Sequence, residues 1–129
     1  MKSATTPTAE ELRTWAFDAN TLEPIQDWDL VLSWLAYEDL FLELASTKSC
    51  PKSDYILSVL YLIVGDAVRT EYRNRRRESV EDLLAKAEGR FPAFVIRKWV
   101  KRSRELLAHP ERFSYDDWCA GGFAHASEA

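Results

Sequence analysis

The chain has 129 residues, of which 47% are hydrophobic and 29% charged, and its formal net charge at pH 7 is −4. This length suits one domain, and the composition is typical of a globular protein rather than a disordered one. Only four glycines and five prolines occur, which disfavours a turn-rich all-β fold. The two cysteines, Cys50 and Cys119, give neither a disulfide framework nor a paired-cysteine metal site.

Two features of the sequence bear on localisation. The first residues, MKSATTPTAEELRT, contain no apolar segment of the kind that a secretory signal requires. The longest apolar run, YILSVLYLIV at 55–64, is about half of the ~20 residues that a membrane-spanning helix needs. We therefore expect a cytoplasmic protein without a membrane-spanning segment.

Three helices are predicted in the first part of the chain. The first opens at Thr8, and the spacing from Thr8 to Glu11 is that of a capping box. The second covers 23–47 and is apolar around much of its circumference, including Trp34, which indicates packing on two sides. The third begins at Ser53 or Asp54 and runs to about Arg77, with a polar end that should project beyond the core.

Two further helices complete the predicted fold. The fourth covers 79–90, and the fifth covers 92–110, with Phe94 and Trp99 among its expected buried residues. One more turn is expected at 114–119. The sequence therefore predicts an all-α fold: a single compact bundle of about five helices, mostly antiparallel, with short connections. It forms one domain over residues 1–129, with frayed ends at 1–7 and 124–129.

Charge is distributed unevenly along the chain. Residues 1–68 carry 4 basic and 11 acidic side chains, whereas residues 69–112 carry 13 basic and 7 acidic ones. The first part is therefore net −7 and the second net +6, and residues 113–129 add −3. Such asymmetry bears on the choice of partner and on steering rather than on the fold.

The acidic side chains of the second predicted helix suggest a docking face for a protein. These acidic side chains cannot all be buried, so some of them should form an exposed negative surface. Such a surface binds a basic partner with electrostatic steering. The candidate residues for this contact are Asp27, Asp29, Glu38, Asp39 and Glu43.

The basic side chains suggest a second, alternative face. On the third predicted helix four arginines share one side, and on the fifth a basic stripe includes Lys98 and Arg104. Where those helices adjoin, a basic groove would bind nucleic acid with salt-sensitive affinity, or an acidic protein surface. Solvated helix faces with local ion pairs are the other interpretation. The candidate residues are Arg73, Arg76, Arg77, Arg97 and Lys101.

One short motif points to an enzyme. The segment RELLAH, from Arg104 to His109, resembles the R-x4-H motif of the HEPN ribonucleases, which are small all-α proteins of about this length. That resemblance implies that Arg104 stabilises the negative charge of the phosphorane and His109 handles the proton. The alternative is that His109 only caps a helix C-terminus, where a cation is favoured.

The remaining chemistry is sparse. The sequence has two histidines and no HExxH motif, and its only double glycine lacks a following Lys-Ser/Thr, so we expect no metal and no cofactor. In length, helicity, acidity and absence of motifs, the chain resembles small helical bacterial immunity proteins. That resemblance implies a non-catalytic inhibitor that binds a toxin or effector. The shortness of the apolar runs predicts no membrane partner. The oligomeric state stays open.

Overall fold

The computed structural model describes residues 1–118 of the chain and has no strand in that range. The all-helical prediction is confirmed, but this range contains seven α-helices rather than about five. A short 3₁₀ turn, Pro110–Arg112, precedes the last of them. The α-helices are α1 (Ala9–Ala16), α2 (Trp28–Ser33), α3 (Glu38–Ser46), α4 (Ser53–Arg69), α5 (Arg77–Arg90), α6 (Phe94–Ala108) and α7 (Tyr115–Trp118). Cys119 and the end at 124–129 lie outside the described residues.

Helix α4 forms the centre of the bundle. All of its residues from Ile56 to Val68 are buried, and α2, α3, α5, α6 and α7 pack against it. Large side chains from its neighbours fill the core, among them Trp28, Phe41 and Trp99, each with no exposed surface. Full burial of a large apolar side chain stabilises a fold by about 1.5–3 kcal/mol, so this core is the main source of stability.

The start of α1 matches the sequence prediction. The Thr8 amide donates to Glu11 Oε1 at 2.9 Å, and the Glu11 amide donates to Thr8 Oγ1 at 3.1 Å, which completes the capping box. Hydrogen bonds from the backbone of Thr8 and Lys2 lower the pKa of Glu11. The preceding segment 1–7, expected to be frayed, contacts the bundle: Trp28 Nε1 donates to the Ala4 carbonyl at 2.6 Å.

The prediction of one helix over 23–47 is wrong, because two helices separated by residues 34–37 occupy that range. A straight helix of that length would extend about 37 Å, whereas the 17-residue α4 is about 25 Å long. Both α2 and α3 pack on α4, so the chain has to bend between them. At the bend, the Tyr37 hydroxyl donates to the Pro7 carbonyl at 3.0 Å, and Trp34 turns outward with 59% of its surface exposed.

The prediction that the third helix continues to Arg77 is also wrong. Helix α4 ends at Arg69, where the Tyr72 amide donates to the Ala67 carbonyl at 2.7 Å and the Glu71 amide donates to the Val68 carbonyl at 3.0 Å. These two bonds form a Schellman motif, which reverses the chain. The segment 70–76 is therefore a loop, and Arg77 is the first residue of α5.

Phe94, expected in the core, is 54% exposed. The inward side of α6 is set by Ile96, Val100 and Ser103, which are all buried together with Trp99. At 3.6 residues per turn, Phe94 falls on the opposite side of the helix from this buried group. The apolar character of Phe94 predicted burial, but its position in the helical period decides against it.

Candidate protein-binding surface

The five predicted acidic residues separate into two groups in the structure. On α3, Glu38, Asp39 and Glu43 each bind a cation from a different element. These partners are Arg75 at 2.7 Å from Glu38, Lys86 at 3.0 Å from Asp39 and Arg13 at 2.5 Å from Glu43. The three carboxylates therefore connect α3 to its neighbours, and their charge is neutralised within the molecule.

The cavity beside these pairs, about 510 Å³, illustrates the consequence. Its lining includes Asp39 and Glu43 together with Lys86 and Arg13, so opposite charges meet across it. A charged partner would have to compete with these internal pairs. The α3 acids are thus a weaker docking site for a basic protein than their sequence suggests.

Asp27 and Asp29 behave differently. Neither takes part in the ion pairs formed among residues 1–118. Both line a cavity of about 320 Å³ between α2, α4 and α7. Asp27 directly precedes α2 with a left-handed backbone, φ 57°, and its side chain makes no capping hydrogen bond.

We refer to this cavity as the acidic groove; its other lining residues are Leu30, Leu62, Asp66, Arg69, Phe113 and Tyr115. Asp66 Oδ1 pairs with Arg69 Nη2 at 2.5 Å, and Asp66 Oδ2 accepts from Asn74 Nδ2 at 2.6 Å. Three carboxylates and one guanidinium give the groove a net charge of about −2 at neutral pH. Its lining also includes the apolar side chains of Leu30, Leu62 and Phe113, against which the stem of a lysine or an arginine can pack.

Carboxylates around the start of α2 also act on the hydroxyl of Tyr55. Burial raises the pKa of the Tyr55 hydroxyl, and the carboxylates of Asp29, Glu23 and Asp27 raise it further. Three carboxylates therefore lie near the start of α2, where they would attract an incoming cation.

A second cavity adjoins the acidic groove, because Asp66 lines both. It measures about 260 Å³, and its lining includes Ser33, Trp34, Asn74 and Arg75. Trp34 stands at this cavity with most of its indole in solvent. Exposed tryptophans beside a pocket are frequent anchors of protein interfaces.

Sequence reasoning identified Asp27 and Asp29 but missed Asp66 and Trp34. Asp66 is the single charged residue within 55–68, and a charge inside a buried apolar segment was an available signal. No comparable signal marked Trp34, because its exposure depends on the bend between α2 and α3.

The predicted basic residues also divide. Arg73, Arg76 and Arg77 lie in or just after the 70–76 loop rather than on one side of α4, so the expected wall of the basic groove is absent from that helix. Each has an acidic partner close in sequence: Glu71, Glu78 and Glu81, respectively. By contrast, Arg97 and Lys101 on α6 are exposed and outside the ion pairs of the described residues.

The two residues of the R-x4-H motif each meet a carboxylate. Arg104 Nη1 contacts Glu88 Oε2 at 2.6 Å, and this hydrogen bond lowers the pKa of Glu88. His109 follows the last residue of α6, and its Nδ1 lies 3.5 Å from Glu111 Oε1. Both side chains are about half exposed, so neither is held in a closed site of this chain.

The described residues contain neither a candidate metal site nor a membrane-spanning helix. Between residues 1 and 118, no group of three or more His, Cys, Asp or Glu side chains is arranged to hold a metal ion. In that range no helix has both the length and the apolar character to cross a membrane.

Comparison of the chain with protein-family models, with curated proteins and with solved structures found no match.

Proposed function

We propose that this protein is a non-catalytic binding module of the immunity or inhibitor kind, which neutralises a bacterial toxin or effector by docking on it through the acidic groove. The observation that carries the proposal is that Asp27 and Asp29 form no ion pair within residues 1–118, whereas the α3 acids are neutralised by cations. Carboxylates without an ion-pair partner, beside apolar lining residues, suit a lysine or arginine of a basic partner.

Trp34 supplies the second element of the proposed interface. Its ring lies at the cavity that adjoins the acidic groove, so one partner segment can contact both. In this proposal the groove sets the rate of association and the charge preference, while Trp34 contributes buried area. The protein acts in the cytoplasm of the cell that it protects.

The test is a capture experiment with matched variants. Tagged wild type, Asp27→Asn/Asp29→Asn and Asp39→Asn/Glu43→Gln are each incubated with nuclease-treated lysate of the source organism. Both variants remove two negative charges, but only the first removes them from the groove. We expect one stoichiometric polypeptide with wild type and with the α3 variant, and at least tenfold less of it with the groove variant.

A growth assay separates an inhibitor from other binding proteins. The captured polypeptide should arrest growth when it is produced alone, and co-production of the wild-type protein should restore growth. Equal capture by the two variants would exclude the groove as the contact. A captured polypeptide that leaves growth unaffected would exclude the inhibitor function.

A further inference from the structure

The outward side of α6 carries a continuous basic stripe. The buried residues Ile96, Trp99, Val100, Ser103, Leu106 and Leu107 fix the inward side of this helix. At 3.6 residues per turn, Phe94, Arg97, Lys98 and Lys101 fall on the opposite side and follow one another at helical spacing. We call these four residues the α6 stripe.

The cations of the α6 stripe, of which Arg97 and Lys101 are exposed and Lys98 is half-buried, differ from most exposed cations elsewhere in residues 1–118. Arg73, Arg76, Arg77 and Arg104 each have a carboxylate within 4 Å. None of the ion pairs among residues 1–118 involves a cation of the stripe. Glu105, one turn beyond Lys101, is the acidic residue at the end of this side of the helix. The stripe is thus a concentrated, unneutralised positive surface on a protein of net negative charge.

An aromatic ring lies within this positive surface. Phe94 is more than half exposed, and Lys98 Nζ lies 5.7 Å from the centre of its ring. An exposed ring flanked by cations provides a surface on which a base can stack while the cations contact neighbouring phosphates. A duplex offers no unstacked base to such a ring.

We propose that the α6 stripe binds single-stranded nucleic acid, a function independent of the acidic groove. Its three cations contact phosphates, and a base stacks on Phe94. A lipid surface is a poorer occupant, because the apolar side of α6 is buried in the core and only one aromatic ring faces outward. The positive surface is about 10 Å long, which limits the contact to a few nucleotides.

The test uses fluorescence anisotropy with labelled 20-nucleotide oligo(dT) and oligo(U). Contacts to three phosphates of a single strand predict a salt slope of about −2, so affinity should fall about 15-fold from 50 to 200 mM NaCl. We expect Arg97→Glu/Lys101→Glu to weaken binding at least tenfold. The control Arg73→Glu/Arg76→Glu makes the same charge change at exposed, paired arginines and should weaken binding less than threefold.

Two single variants separate stacking from charge. Phe94→Ala should weaken binding at least fivefold without changing the salt slope, because it removes a ring and no charge. Glu105→Gln should strengthen binding, because it removes the negative charge at the end of the stripe. Circular dichroism and urea unfolding establish that each variant is folded.

Three results would overturn the proposal. The first is absence of binding to either oligonucleotide at 50 mM NaCl. The second is an equal loss of affinity in the α6 variant and its control. The third is tighter binding to duplex DNA, to anionic vesicles or to an acidic peptide than to the single strands. Asp27→Asn/Asp29→Asn should leave oligonucleotide binding intact, so the outcome is distinguishable from failure of the proposed inhibitor function.

Discussion

Two consecutive residues, Glu71 and Tyr72, have left-handed backbones, with φ of 55° and 63°. A side chain in this conformation costs roughly 1–2 kcal/mol, and helix ends of this type usually carry glycine at the first such position. In this chain the position is occupied by Glu71 instead of glycine, and contacts of neighbouring residues stabilise the turn. Asn74 Nδ2 donates to Asp66, the Thr70 hydroxyl donates to Asn74, and the Tyr72 ring packs against the core.

We predict that Glu71→Gly increases the free energy of unfolding by about 0.5–1 kcal/mol. Glycine relieves the left-handed strain, although it also adds freedom to the unfolded chain, so the gain is smaller than the strain. Urea unfolding monitored by circular dichroism measures it. Glu71→Ala is the control: it removes the same exposed ion pair with Arg73 but keeps a Cβ, so it should give no gain. If alanine stabilises as much as glycine, strain at Glu71 is not the cause.

Residues also differ in how far the sequence alone predicted them. The capping box at Thr8 was predictable, because both partners lie within one turn and the interaction is local. The end of α4 was not, because the sequence around Glu71 has no glycine or proline and the turn depends on Asn74 reaching back to Asp66. Interactions within one helical turn could thus be predicted from the sequence, whereas interactions that depend on a chain reversal could not.

At the scale of elements, Arg75 connects the 70–76 loop to the rest of the bundle. Its Nη1 contacts Glu38 Oε1 at 2.7 Å, and its Nη2 donates to the Ser33 carbonyl at 3.1 Å. Both members of the ion pair are largely shielded, with 18% and 22% of their side chains exposed. One guanidinium thus joins the loop to α3 and to the end of α2.

We predict that Arg75→Ala lowers the free energy of unfolding by about 2 kcal/mol. The substitution leaves a shielded carboxylate and a carbonyl without their donor, and hydrogen bonds to charged groups contribute about 1.5–3 kcal/mol. The matched control is Arg73→Ala, two residues away in the same loop. Arg73 makes only an exposed pair with Glu71, so this control should cost less than about 0.5 kcal/mol. Equal losses in urea unfolding would contradict the bridging role of Arg75.

The sequence around Arg75 also explains a wrong prediction. The arginines at 73 and 75–77 suggested the polar, solvated end of one long helix, with Arg69, Arg73, Arg76 and Arg77 on one side of it. In the structure Arg75 pairs with Glu38 and is largely shielded while Arg73 and Arg76 stay exposed, because these residues lie in the loop after α4 rather than on a helix. Helical periodicity cannot separate these roles, since it assumes that the helix continues.

At the scale of the whole molecule, the charge asymmetry of the sequence is partly cancelled by folding. Basic residues from the second part of the chain, Arg75 and Lys86, pair with acids of α3. The charge left without an ion pair includes the start of α2 and the outward side of α6. The sequence predicted both signs of charge, but only the folded chain distinguishes paired charges from available ones.

This division predicts that salt weakens binding strongly but changes stability little. Most ion pairs of the described residues have at least one side chain that is 40% or more exposed, and such pairs contribute 0–1 kcal/mol each. The free energy of unfolding should therefore differ by less than about 1 kcal/mol between 20 and 500 mM NaCl, because the core around α4 carries the stability.

Urea unfolding at the two salt concentrations measures this difference. A loss of several kcal/mol at 500 mM NaCl would mean that ion pairs, rather than the core, hold the helices together. If the free energy of unfolding changes little, salt can be varied in binding experiments without unfolding the protein. Salt then acts by screening the charges that have no ion-pair partner. Under that condition, a loss of partner at the acidic groove or of oligonucleotide at the α6 stripe in high salt reports on charge at the contact alone.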